Sequence, residues 1–232
     1  MKNIRHLLSI CFIVSVISLQ AQTESKFSYG IKAGFNLSSA GGDFSDSSLR
    51  SGYHFGVTMD YDLSKGFFLR SGLDFTSKGA EIDNSWDYSY IDGSAGWSTD
   101  RYTLNYLQLP LQLGFRLPVF NNKLNLVASA GMYFAYGVYA REKYDETYAS
   151  GYYTYIDECT ILIDYPIVYE GFDEIGMRRF DCGFTGGLGV EFSRYSLSIN
   201  YEGGILNTMK ELDGSNPSWK NRSWAFSFGY KF

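Results

Sequence analysis

The chain has 232 residues, a formal net charge of −5 and an aromatic share of 18%, with 20 tyrosines and 18 phenylalanines. An acidic balance argues against nucleic acid as a partner, because phosphate binding needs a surplus of Lys and Arg. The length suits one domain rather than two, and beyond the N-terminal run no segment approaches the length of a transmembrane helix.

Lys2 and Arg5 form a short positive segment, Leu7 to Leu19 an apolar run, and Ala21 a small residue for cleavage. Residues 1–21 therefore read as a secretory signal peptide, cleaved to leave one domain over 22–232. Removing Lys2 and Arg5 would take the formal charge from −5 to −7. Cys11 does not fit a lipoprotein signal, since Ile10 before it is bulky and the apolar run continues past it. Cys159 and Cys182 remain. They either pair in an oxidising compartment or stay as separate thiols, and the sequence does not give the geometry.

The first strand, Phe27 to Ser38, sets Phe27, Tyr29, Ile31, Ala33, Phe35 and Leu37 against Ser28, Gly30, Lys32, Gly34, Asn36 and Ser38. That is the two-residue period of a sheet with one apolar face. After a Gly/Ser/Asp loop, Tyr53 to Leu63 alternates in the same way, with His54, Asp60 and Asp62 on the polar side. Ser64-Lys65-Gly66 is a tight turn, and Phe67 to Gly79 sets Leu69, Leu73 and Phe75 against Arg70, Asp74 and Lys78. Ala80 to Asp100 reads as a long loop with five acids and no Lys or Arg. The fourth strand, about Tyr106 to Leu117, carries five leucines and Phe115 on one face, with Gln108, Gln112 and Arg116 on the other. The fifth runs from Leu124 to about Tyr139.

The longest loop, about Ala140 to Arg178, is rich in tyrosine and acid, and Thr160 to Val168 is apolar enough for an extra strand above the main sheet. Arg179 to Phe192 and Tyr195 to Leu206 follow as strands six and seven, joined at Ser193-Arg194. The eighth, Trp224 to Phe232, places an aromatic at every second position and resembles the C-terminal aromatic signature of bacterial outer-membrane barrels.

Eight strands joined by alternately long and short connections imply an all-β, antiparallel, up-and-down transmembrane barrel. Its long loops would be extracellular, with the short turns and both termini periplasmic. A soluble carrier of the lipocalin kind also has eight strands, and periodicity alone does not say which face is outside. The apolar faces favour the membrane, because they carry more rings than an eight-stranded interior can hold. Charges on the polar faces balance, six positive (Lys32, Arg70, Lys78, Arg116, Arg179, Lys231) against six negative (Asp60, Asp62, Asp74, Asp181, Glu191, Glu202), which suits a narrow lumen of paired side chains and equally a solvated surface. Lys32, Asp60, Asp62, Arg70, Asp74, Arg116, Glu191 and Glu202 are expected to form a network inside the barrel.

Phe27-Ser28-Tyr29-Gly30-Ile31-Lys32-Ala33-Gly34-Phe35-Asn36-Leu37-Ser38 and Tyr106-Leu107-Gln108-Leu109-Pro110 resemble strands of the PorT-like outer-membrane β-barrels of Bacteroidetes. The resemblance covers the layout of all eight strands and none of the loops. It implies an outer-membrane barrel in a Gram-negative envelope and, more weakly, a role in secretion or envelope assembly.

Chemistry is sparse. His54 is the one histidine after the leader, and a lumen hydrolase built on it would use Asp60 or Asp62 on the same face as its orienting acid. No His/Cys cluster has metal-ligand spacing, and Asp83, Asp87 and Asp92 fit no calcium loop, so neither metal nor cofactor is expected. The expected function is non-enzymatic. Trp86, Trp97, Tyr152, Tyr153 and Tyr155 in the acidic loops are candidate contacts for an extracellular protein or glycan, since aromatic rings give contact area at low entropic cost.

Overall fold

Strands that alternate oily and polar residues must pair along their whole length or leave backbone N–H and C=O groups bare in lipid. A computed structural model of the protein describes residues 26–88, 94–119, 124–154, 157–211 and 214–232; the leader and Tyr155 lie outside the described residues. It contains β1 (Phe27–Gly42), β2 (Arg50–Asp62), β3 (Phe67–Tyr88), β4 (Ser94–Val119) and β5 (Leu124–Thr154), followed by β6 (Asp157–Glu170), β7 (Phe180–Phe192), β8 (Tyr195–Gly204) and β9 (Trp219–Lys231). All but β6 form a closed antiparallel ring in the order β1-β2-β3-β4-β5-β7-β8-β9, shut by β9 on β1 from Gly30↔Lys231 to Gly42↔Trp219. At Ser64-Lys65-Gly66-Phe67 the chain reverses with φ of 55° and 85° at the two central residues. That is the primed turn whose twist matches its flanking strands.

The apolar faces point outward. Leu111 is 48% exposed and Phe228 52%, whereas Glu191 is 6% and Asp60 2%. A soluble carrier would have the reverse arrangement, so that alternative is set aside. Rings collect at both edges of the band. Phe27 packs on Tyr61 and Tyr195 on Tyr230 at the turn end, and Phe35 on Phe226 and Tyr201 on Trp224 at the other, with centroids 4.7, 5.5, 4.7 and 4.9 Å apart respectively.

Two stretches expected as loop, within Ala80 to Asp100 and at the start of Ala140 to Arg178, are strand, and the extra strand expected at Thr160 to Val168 is present within β6. The β3–β4 hairpin continues past Gly79 with unbroken register from Ala80↔Tyr102 to Tyr88↔Ser94. β4 in turn pairs with β5 out to Ser94↔Ser150, and β6 adds to β5 from Arg141↔Glu170 to Thr154↔Asp157. These residues lie above the apolar band and need no oily face, only ladder partners, so they carry no alternation to read. The result is a four-stranded wall, β3-β4-β5-β6, standing beyond the barrel on one side. Trp86 and Trp97 fall on its β3 and β4, and Tyr152 and Tyr153 on β5.

On the other side the connections fold low. Residues 171–178 turn back to bury Phe172, Ile175 and Met177, while residues 205–211 bury Met209, and Trp219 enters from the start of β9. They meet Tyr102, Leu104, Tyr106 and Tyr133 from the inner wall, with Trp219 against Tyr102 at 5.0 Å and Phe172 against Tyr106 at 5.7 Å. A register shift at Asn105/Tyr106 turns Val138 and Tyr139 both outward and returns Ala140 to the interior beneath this plug. The mouth is therefore closed by an apolar core of the kind found in soluble proteins.

Trp219→Ala should destabilise the folded barrel by about 3–5 kcal/mol, the usual range for emptying a buried aromatic site. Urea unfolding in lipid vesicles checks this. A loss below about 1 kcal/mol would mean that the plug does not hold the mouth.

Candidate functional site: the lumen and the outer mouth

Each lumen side chain is placed by strand parity, and the strands bring them together in three layers. At the turn end Asp60 and Glu191 sit among three cations. Arg70 Nε donates to Asp60 (2.7 Å) and Arg70 Nη2 to Glu191 (3.2 Å); Arg116 reaches Asp60, Asp62 and Glu191; Lys231 lies 3.1 Å from Asp60 and 2.6 Å from Glu191. Both guanidinium groups lie over the ring of Phe68, at 3.8 and 4.9 Å, and that ring occupies the space left by Gly114. Asp62 stands at the opening with its side chain 56% exposed. Isolated charges here would be prohibitive, and each has a partner of opposite sign.

The middle layer surrounds a chamber of about 60 Å³, room for a few water molecules. Lys32 pairs with Asp74 at 2.9 Å, and Gln112 donates to Thr185. The orienting acid expected for His54 is not there. Its Nδ1 lies 2.7 Å from Asn36 Oδ1 and its Nε2 2.8 Å from Ser227 Oγ, with Asp60 and Asp62 engaged by arginine below. Asn36 Nδ2 already donates to Thr76 and to the Ser77 carbonyl. Asn36 Oδ1 is thus the acceptor, Nδ1 carries the proton, and Nε2 accepts from the Ser227 hydroxyl.

His54 on β2 spans β1 to reach β9 because Gly34 lies between. A Cβ at Gly34 would fall 2.7 Å from His54 Cε1 and 1.8 Å from the Phe226 carbonyl oxygen. This bridge ties the seam where the barrel closes.

The upper layer joins Lys78 to Glu202 (2.7 Å) and to Gln108 Oε1 (2.8 Å), with Gln108 Nε2 donating back to Glu202 and Lys78 Nζ 4.1 Å from the centre of the Tyr133 ring. Above it Tyr133 and Asn221 donate to Asp181, and Trp219 Nε1 donates to Asn221. These contacts fasten the polar lumen to the apolar plug. Arg179 belongs to the mouth, 3.5 Å from Asp173 and stacked on Phe172. Asn36, Ser227, Asn221 and the plug residues escaped the sequence reading. The one available signal was the pair of rings, Tyr106 and Tyr133, on the lumen parity at the outer ends of their strands.

On the wall, Glu81 pairs with Arg101 (2.9 Å) and Tyr102 donates to Glu142 (2.7 Å). Asp100 lies near Glu142, and burial, reinforced by that carboxylate, raises its pKa to about 6. Cys182 is a free thiol. Among the described residues no three acids, histidines or cysteines converge as a metal group would require.

Two outcomes follow. Gly34→Ala should push His54 off Ser227 and lower thermal stability more than Gly186→Ala, where a Cβ would make only ordinary van der Waals contact (nearest atom 3.6 Å); equal melting temperatures would remove the seam bridge. Asp100 has a folded pKa above its ordinary 3.8, so the folded wall holds that proton more tightly than the unfolded chain. Its stability is greatest below about pH 4 and declines as pH rises through about 6. Hydrogen-exchange protection factors of the β3–β4 hairpin, which divide out the base-catalysed intrinsic rate, should fall across that window in the wild type and stay level in Asp100→Asn.

Known proteins of similar shape share little sequence. Neisserial surface protein A is 10% identical with a TM-score of 0.38, over 90% of this chain and 98% of that one. OprG of Pseudomonas aeruginosa is 12% identical with a TM-score of 0.36, over 88% and 95%. Ail of Yersinia pestis is 12% identical with a TM-score of 0.31, over 88% and 98%. No curated protein matches the chain in sequence. The model of the outer membrane protein beta-barrel domain family matches residues 20–210, most of the chain, and the protein belongs to that family of outer-membrane barrels.

Proposed function

We propose that the protein is a non-enzymatic, non-conducting outer-membrane barrel whose projecting wall recognises a protein or glycan outside the cell. In this reading the wall faces outward, and the turns and both termini face the periplasm. The observation that carries it is the contrast between the two ends. The turn end is minimal, while β3 to β6 extend far beyond the lipid band and expose Ile167, Val168 and Tyr169 on β6. With charge layers filling the lumen and a core closing its mouth, the barrel serves as an anchor for that wall. The resemblance to PorT-like proteins favours a finer form of the proposal, in which the same surface or the periplasmic turns serve a secretion or assembly machine.

A photo-crosslinker at Asn84 or Tyr169 in intact cells should capture an extracellular partner, and one at Ser64 or Ser193 should not. Capture only from the turns would replace surface recognition with the envelope-assembly form. A lumen hydrolase has one observation in its favour, the Ser227–His54–Asn36 relay, which has the order of nucleophile, base and orienting group. Against it stand the closed mouth and a chamber of about 60 Å³. His54→Ala and Ser227→Ala should leave lipid and peptide hydrolysis by the purified protein at background.

A further inference from the structure

The even-numbered residues of β9 face outward, and the aromatic row on that face ends at Trp224, packed on Tyr201. The nine residues from Trp224 to Phe232 span roughly 20–25 Å of membrane height at the usual rise and tilt, close to the full apolar band of such barrels. Arg222 and Lys220, the next two outward residues, therefore lie where outer-leaflet headgroups begin. Both are exposed.

Their surroundings are bare. Arg222 is flanked by Ser39 on β1 and Gly203 on β8, and Lys220 by Gly41 on β1. The guanidinium of Arg222 lies over Gly41, where a Cβ would meet its Nε at 2.6 Å, and this draws it toward Lys220. Some cations above the band have acids to hand, Arg101 with Glu81, Lys143 with Asp145 and Lys210 with Asp173, while Arg50 and Arg178 donate to backbone carbonyls and Arg141 forms no ion pair with a described residue. Lys220 and Arg222 form no ion pair or side-chain hydrogen bond with any described residue. Two like charges on one face beside glycine, neither paired with a described carboxylate, make a place for an anion, and the nearby Asp43 carboxylate is already taken by the Ser218 N–H. Aromatic rings directly below supply the apolar floor for the chains that such an anion would carry.

We propose that Lys220 and Arg222 form a docking notch for the phosphate of an outer-leaflet glycolipid, with its acyl chains descending past Trp224. The guanidinium offers a planar pair of donors to phosphate oxygens and the ammonium a point charge beside it. The notch rests on the outward orientation proposed above, because only then does it meet the outer leaflet.

The test uses purified full-length protein in detergent and native mass spectrometry with a bis-phosphorylated diglucosamine glycolipid. The wild type should retain the lipid. Lys220→Gln/Arg222→Gln should bind it on the order of twenty-fold more weakly, about five-fold for each cation lost near an anionic surface. Lys210→Gln, which removes a charge elsewhere at the mouth, should bind as the wild type does. Equal retention by the double variant, equal retention of the dephosphorylated lipid, or full displacement by millimolar inorganic phosphate would each overturn the notch. Altered electrophoretic mobility without heating reports that each variant is folded. Should the wall instead face the periplasm, surface labelling of intact cells would miss it while the detergent result stood, so the two failures separate.

Discussion

The constraint on which everything else depends is that a β-segment in hydrocarbon has no water to satisfy its backbone, so the sheet must close on itself. Closure of β9 against β1 leaves no edge in the membrane and fixes which face of every strand is inside. An eight-stranded ring then has an interior only wide enough for side chains. The charges on the inward face are enclosed by the same step, and their pairing becomes obligatory.

That pairing accounts for the layered lumen. Asp60 and Glu191 are shared among Arg70, Arg116 and Lys231, residues contributed by five different strands, so the cluster ties together strands that are not neighbours in the sheet. Lys78 and Glu202 do the same nearer the mouth. Losing one member would strand its partner in a low-dielectric interior at a penalty of about 3–5 kcal/mol, whereas any single pair adds modest net stability over an apolar filling. The lumen charges therefore specify register and closure more than they raise overall stability. The His54 bridge across Gly34 does for the seam, with neutral groups, what the ion pairs do elsewhere.

Within the membrane the strands were legible residue by residue, because lipid on one side and charge on the other impose a period of two on every strand. Leu111 outside and Arg70 inside follow from parity alone. Above the membrane that pressure vanishes. Ala80 to Asp100 reads as a loop because a strand exposed to water needs no oily face, and only the pairing of residues 80–88 with 94–102 of β4, and of the latter with β5, reveals the strands there. Asn36, His54 and Ser227 lie far apart in sequence and meet through the register of three strands, which composition does not encode. Phe172, Met177 and Trp219 fill the mouth from short irregular segments or a strand end, where there is no period to detect.

The asymmetry of the outer end then has a physical reading. Residues 171–178 and 205–211 descend into the mouth and bury Phe172, Ile175, Met177 and Met209 against the inner wall, so that side gains rigidity from an ordinary core. On the opposite side the base of the wall packs on that core through Ala80, Ile82, Tyr102 and Ala140, and beyond it β3 to β6 continue as backbone ladders, with ion pairs such as Glu81–Arg101 on their surface. Surface pairs of that kind add little stability. The wall is thus the part most able to change sequence without disturbing the barrel, since its register is continued from strands already fixed below. A rigid, closed support carrying a weakly constrained sheet separates staying folded in the membrane from variation in the part that stands beyond it.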